Sequence, residues 1–136
     1  MKVIDILLLE DDSLDIMDLK RTLDKMKIVY MLHVSLNGEE AIEFLNERRD
    51  ESAAFPDIVL IDINMPKMNG LEFLTVIRNN EDWKYLKCFI ITTSEEKVDK
   101  EAAKNLGVSG YIVKPFKLNN PSSMDSFNLM IDLMNL

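Results

Sequence analysis

A chain of 136 residues with 47% apolar content has room for one domain with a sizeable core, so a single domain over residues 1–136 with no output domain is expected. The formal net charge of −8 speaks against nucleic-acid binding, which needs clustered Lys and Arg, and favours a cation or a basic partner surface. The lone cysteine, Cys88, excludes a disulfide framework and a cysteine-based metal site. No stretch approaches membrane-span length and the apolar opening ends in acids, so the expected location is the cytoplasm.

Val3 to Leu9, apolar but for Asp5, is read as a strand buried on both faces, and it ends in Glu10, Asp11 and Asp12. Ser13 is the expected cap of a first helix, whose inner stripe is Ile16, Leu19, Leu23 and Met26. A second strand is expected from Ile28 to Val34, carrying His33, whose lack of a sequence partner favours a packed or sheet-edge histidine over a phosphate carrier. Asn37 with Glu40 has capping-box spacing before a helix that turns Ala41, Ile42 and Leu45 inward. Arg48 to Pro56 reads as a charged surface loop.

The central stretch is DIVLIDINMPKMNG, Asp57 to Gly70: four apolar residues, then Asp62 at the carboxyl end of a buried strand. Asn69 and Glu72 repeat the capping-box spacing before a helix with Leu71, Leu74 and Ile77 on its inner face. Trp83 and Tyr85 are expected to cover a helix end. A fourth strand, Phe89 to Ile91, runs into Thr92, Thr93 and Ser94; Val98, Ala102 and Leu106 stripe a fourth helix capped by Gly107. Tyr111 to Val113 forms a last strand ending at Lys114. Met124, Phe127, Ile131 and Met134 mark a fifth helix, capped by Ser122 or Ser123.

Strands alternating with helices imply a parallel sheet wound right-handedly with helices on both faces. The carboxyl ends then gather Glu10, Asp11, Asp62, Thr92 and Lys114 at the edge where such sheets bind ligands. Asp57, about five residues earlier at roughly 3.3 Å each, belongs at the opposite edge. Crowded carboxylates raise one another's pKa unless a cation sits among them, and an all-oxygen set favours Mg²⁺. A hydroxyl and an ammonium beside such a metal could cover a phosphoryl group, and an Asp carboxylate can be the nucleophile that receives it. No glycine-rich nucleotide loop is present.

The motifs ILLLEDD at Ile6 to Asp12, LIDINMPKMNG at Leu60 to Gly70, IITTS at Ile90 to Ser94 and GYIVKPF at Gly110 to Phe116 closely resemble the receiver domain of two-component response regulators. The resemblance implies a CheY-like, flavodoxin-like (βα)5 α/β fold with sheet order 2-1-3-4-5. It implies a signalling phosphoacceptor instead of an enzyme in the ordinary sense. Asp62 would accept a phosphoryl group from the phosphohistidine of a sensor histidine kinase. Asp11, Asp62 and the main-chain carbonyl of Asn64 would ligate Mg²⁺, with Mn²⁺ as an alternative and Glu10 acting through water. Lys114 would bind the phosphoryl group, and Thr92 with Tyr111 would form the switch, changing a surface on the fourth helix, fifth strand and fifth helix. Thr93, Asn64 and Ser94 would shape access to the phosphoryl group.

The triple acid and the Thr92-Thr93-Ser94 ending resemble stand-alone receivers that pair with phytochrome-type kinases, and the Arg48 to Pro56 loop fits that subgroup, whereas Lys87 and Cys88 stand where it usually has a proline. Met130 and Leu133 suit a partner or homodimer face on the last helix. The downstream partner is either a terminal effector protein or a histidine phosphotransfer protein in a relay. A metal-dependent phosphatase would need a second acid two residues after Asp62, where Asn64 stands. A flavin carrier would need a phosphate cradle where Glu10, Asp11 and Asp12 stand.

Overall fold

The computed structural model describes residues 3–93, 98–114 and 134–135. Five strands, β1 (Ile4–Leu9), β2 (Tyr30–Ser35), β3 (Ile58–Asp62), β4 (Cys88–Thr93) and β5 (Gly110–Lys114), alternate with α1 (Ser13–Lys25), α2 (Gly38–Asp50), α3 (Gly70–Arg78) and α4 (Lys100–Asn105). All strand pairs are parallel and the order is β2-β1-β3-β4-β5, the expected topology. The apolar runs follow from burial on both faces. In β3, Ile58 and Leu60 pack under α1 with Leu19 and Leu23, while Val59 and Ile61 pack on the other face with Leu45, Phe73 and Leu74. Met134, the last member of the stripe expected for a fifth helix, is buried in the α1-side core. Ser94, Met124, Phe127, Met130, Ile131 and Leu133 lie outside the described residues, as do Ser122 and Ser123.

Several local expectations change. Asp12, not Ser13, caps α1, its Oδ1 accepting from the N–H groups of Leu14 at 2.8 Å and Asp15 at 3.2 Å, because Asp12 is the last extended residue and Ser13 is already helical. The second strand starts later, since Lys27 turns through φ 58° and the Ile28 N–H closes back on the Leu23 carbonyl. Arg48 to Asp50 continue α2 instead of forming loop; Ser52, at φ 53°, ends the turn that follows. Asn69 makes a complete capping box with Glu72. Asn37 makes half of one, because the Glu40 carboxylate takes the Leu36 N–H at 2.6 Å. The buried residue of α4 is Ala103, not Ala102: with Asp99 as cap, the inner stripe runs Ala103 to Leu106. Gly107 takes the left-handed conformation expected of a helix stop, φ 71°. Trp83 is core, whereas Tyr85 is 81% exposed and covers no helix end.

His33 packs as an edge-strand residue. Its Nε2 lies 3.0 Å from Asp5 Oδ1 and 2.9 Å from an Arg48 guanidinium nitrogen, and its ring stacks at a tilt on Phe44. Asp57 sits at the far sheet edge, its Oδ2 accepting the Asp5 N–H at 2.9 Å. Buried Cys88 has its thiol pushed up to about 11 by burial, which leaves it a core hydrophobe.

Gly70 is where α3 touches the end of β3. A Cβ there would lie 2.9 Å from the Asp62 carbonyl oxygen, 2.9 Å from Ile61 Cγ2 and 3.2 Å from the Ile63 Cα. Two of the three atoms are backbone, so no side-chain rotation relieves the clash. Gly70→Ala is expected to cost about 1–3 kcal/mol, as overpacking does, read as a loss of several degrees in thermal unfolding. Unchanged melting would mean that α3 can withdraw from the strand end.

Candidate functional site

Parallel pairing places the carboxyl ends of the strands together. Leu9 pairs with Ile61, so Glu10 and Asp62 are neighbours just past the ends of β1 and at the end of β3; Asp62 pairs with Ile91 and Thr93 with Lys114. Glu10 and Asp62 are buried and Asp11 is exposed. One carboxylate oxygen from each of the three lies within 4.8 Å of the others. Oxygens on a single Mg²⁺, at about 2.1 Å each, stand no more than about 4.2 Å apart, so the set suits one hard cation with slight contraction or a bridging water. The all-oxygen donor chemistry and the burial of two of the acids fit such an ion.

Lysine meets part of this charge. Lys114 Nζ donates to Asp15 Oδ2 at 2.7 Å, to Glu10 at 3.1 and 3.3 Å, and to Asp62 Oδ2 at 3.4 Å. Its side chain is 10% exposed, and although burial opposes the ammonium, the three carboxylates outweigh it and raise the lysine's pKa. Glu10 moves the other way in charge: burial first, then the hydrogen bond and charge of Asp62, push its carboxyl up to about 8, with Lys114 offsetting only part.

Asp62 is also oriented by its own turn, the Asn64 N–H donating to Oδ1 at 3.2 Å. Lys67 adopts φ 64° in that turn, a left-handed conformation for a residue with a Cβ. Thr92 is buried at the end of β4, its hydroxyl donating to the Thr93 carbonyl at 3.2 Å. Half-buried Tyr111 packs against the core, with the Lys100 ammonium 5.9 Å from its ring centroid. The structure thus brings Glu10, Asp11, Asp62 and Lys114 into one cluster, with Thr92, Thr93 and Asn64 on the adjoining strand end and turn.

Sequence reading missed Asp15. It carries no motif of its own, and its place in the first turn of α1, where acids are common, conceals a contact to a lysine 99 residues away.

Comparison with known proteins gives a match between residues 6–123 and the response regulator receiver domain. Response regulator Rcp1 of Synechocystis is 32% identical over 116 residues, covering 85% of this chain and 79% of that protein. The structure of its Mn²⁺-bound form superposes with a TM-score of 0.75, covering 92% and 94% of the two chains. A two-component response regulator from Legionella pneumophila gives 31% identity and a TM-score of 0.79 over 98% of this chain and 99% of its own. The bacteriophytochrome response regulator AtBRR gives 28% and 0.79, covering 98% and 94%.

Proposed function

The chain belongs to the response regulator receiver family, and on that footing we propose that Asp62 is its phosphoacceptor. An Asp62 carboxylate oxygen attacks the phosphorus of a kinase phosphohistidine; the P–N bond breaks, and the phosphoryl group becomes an acyl phosphate on Asp62. A divalent cation, Mg²⁺ or Mn²⁺, would supply charge neutralisation of the phosphoryl oxygens. Asp11, Asp62 and the main-chain carbonyl of Asn64 would hold it, with Glu10 acting through water. Lys114 leaves Asp62 for a phosphoryl oxygen, and the Thr92 hydroxyl exchanges its bond to the Thr93 carbonyl for another. Tyr111 follows Thr92 and alters the surface near α4 and β5. Thr93 and Asn64 flank the approach to Asp62, and Ser94 is assigned the same role.

The kinase is a sensor histidine kinase, of the phytochrome type if the likeness to AtBRR extends to partners. The module works in the cytoplasm. The observation that carries this reading is the burial of Asp62 within 3.4 Å of Lys114 and beside the Glu10 and Asp11 carboxylates.

The test is incubation with a small acyl phosphate, with Mg²⁺ or with EDTA, followed by intact mass and peptide mapping. One phosphoryl group at Asp62, formed only with the cation, is expected. A group mapped elsewhere, or one formed equally in EDTA, removes Asp62 or the metal from the scheme.

A further inference from the structure

Lys114 is held most closely by a carboxylate outside the metal cluster. Its contact to Asp15 is 2.7 Å, against 3.1 Å to Glu10 and 3.4 Å to Asp62. Among the described residues, the three acids that approach one another closely enough to share an ion are Glu10, Asp11 and Asp62, and Asp15 is not among them. A divalent cation and the lysine ammonium would therefore share the carboxylates of Glu10 and Asp62. A cation held there would draw on two of the three carboxylates that hold Lys114. Asp15 is the one left unaffected.

Asp15 is also built to stay in place. Its N–H is fixed to the Asp12 cap at 3.2 Å, it stands in the first turn of a 13-residue helix, and the positive end of that helix favours its charge. Lysine has a flexible four-carbon stem, and an ammonium released from its partners must be re-fixed before it can help a reaction.

We propose that Asp15 is a positioning residue for phosphoryl transfer: it keeps the Lys114 ammonium beside Asp62 when a metal occupies the Glu10, Asp11 and Asp62 cluster. The inference rests on the reading of Asp62 as phosphoacceptor. An ammonium has three donors, so Lys114 reaches a phosphoryl oxygen without leaving Asp15. Asp15 itself touches neither the phosphoryl group nor the metal. Without it, Lys114 either returns to the metal-binding acids or swings towards solvent.

The experiment compares wild type, Asp15→Asn, Asp15→Glu, Lys114→Gln and Asp15→Asn/Lys114→Gln for acyl-phosphate phosphorylation at saturating Mg²⁺. Asp15→Asn is expected to slow phosphorylation on the order of tenfold, the scale of a lost orienting contact, with Asp15→Glu recovering part. In the Lys114→Gln background Asp15→Asn should change nothing. A purely electrostatic effect of Asp15 on the metal would persist there, and that outcome overturns the proposal, as does full-rate phosphorylation of Asp15→Asn.

A second readout does not depend on turnover. The Lys114 ammonium should give a slowly exchanging NMR signal in Mg²⁺-loaded wild type that disappears in Asp15→Asn, and a signal that survives the substitution overturns the proposal even if Lys114→Gln is too slow to assay. Failure of the Asp62 assignment would look different, because wild type itself would then acquire no phosphoryl group there.

Discussion

Asp62→Asn is expected to lose phosphorylation and yet to melt several degrees above wild type at pH 8 without a divalent cation. The cause is Glu10, whose carboxyl is pushed up to about 8 by burial and then by Asp62, against an ordinary value of 4.5. Between those two values the folded protein holds a proton that the unfolded chain has released. The stability Glu10 contributes relative to its charged state is therefore complete below about pH 4.5 and is lost as pH rises through about 8. Each tenfold change in proton affinity is about 1.4 kcal/mol, so the penalty reaches a few kcal/mol. Lys114, held charged by its carboxylates, stays protonated throughout this window and adds no slope.

Asp62→Asn removes two of the causes that raise Glu10 and leaves Lys114 to neutralise it. The difference in melting temperature between variant and wild type should be small at pH 5 and grow towards pH 8. Mg²⁺ binding to the native state adds about 2.7 kcal/mol at 100 times its Kd, so wild type should gain and the variant should gain less. Asp11→Asn should raise the metal-free melting temperature less, since Asp11 is exposed. Thermal unfolding at both pH values, with and without Mg²⁺ at fixed ionic strength, measures all of this. A variant that melts below wild type at pH 8 without metal contradicts the crowded-carboxylate account.

Arg78→Met is expected to destabilise the fold by about 2–4 kcal/mol without affecting the chemistry at Asp62. From the end of α3 the guanidinium donates to four main-chain carbonyls: Leu106 at 2.6 Å, Leu86 at 2.8 Å, Lys84 at 2.9 Å and Gly107 at 3.2 Å. One side chain thus ties the stop of α4 to the connection leading into β4. Hydrogen bonds to a charged donor contribute about 1.5–3 kcal/mol each, but the Gly107 bond is exposed and water can replace part of the loss. Arg78→Lys should recover little, because an ammonium cannot present the planar fork that reaches all four oxygens. Urea unfolding reads the effect as a lower midpoint at an unchanged slope. A loss under about 1 kcal/mol would show that solvent serves these carbonyls as well as the arginine does.

What a stretch of sequence determined by itself was whatever closes within a few residues or repeats with a fixed period. The buried runs around Leu7 and Leu60 specify strands covered on both faces, and their abrupt ends fix where Glu10 and Asp62 emerge; parallel pairing then leaves them nowhere to go but side by side. The Asn69 box and the Gly107 stop were legible for the same reason, since each involves contacts three to five residues away. Choices between near-equal neighbours were not: Asp12 displaced Ser13 as cap, and Ala103 displaced Ala102 as the buried residue, because packing sets the angle at which each helix meets the sheet. Long side chains were the least legible of all. Lys114 on Asp15, Arg78 on four carbonyls, and Arg48 with His33 and Asp5 are decided by how far a flexible stem reaches across elements already assembled, and no spacing along the chain encodes that reach.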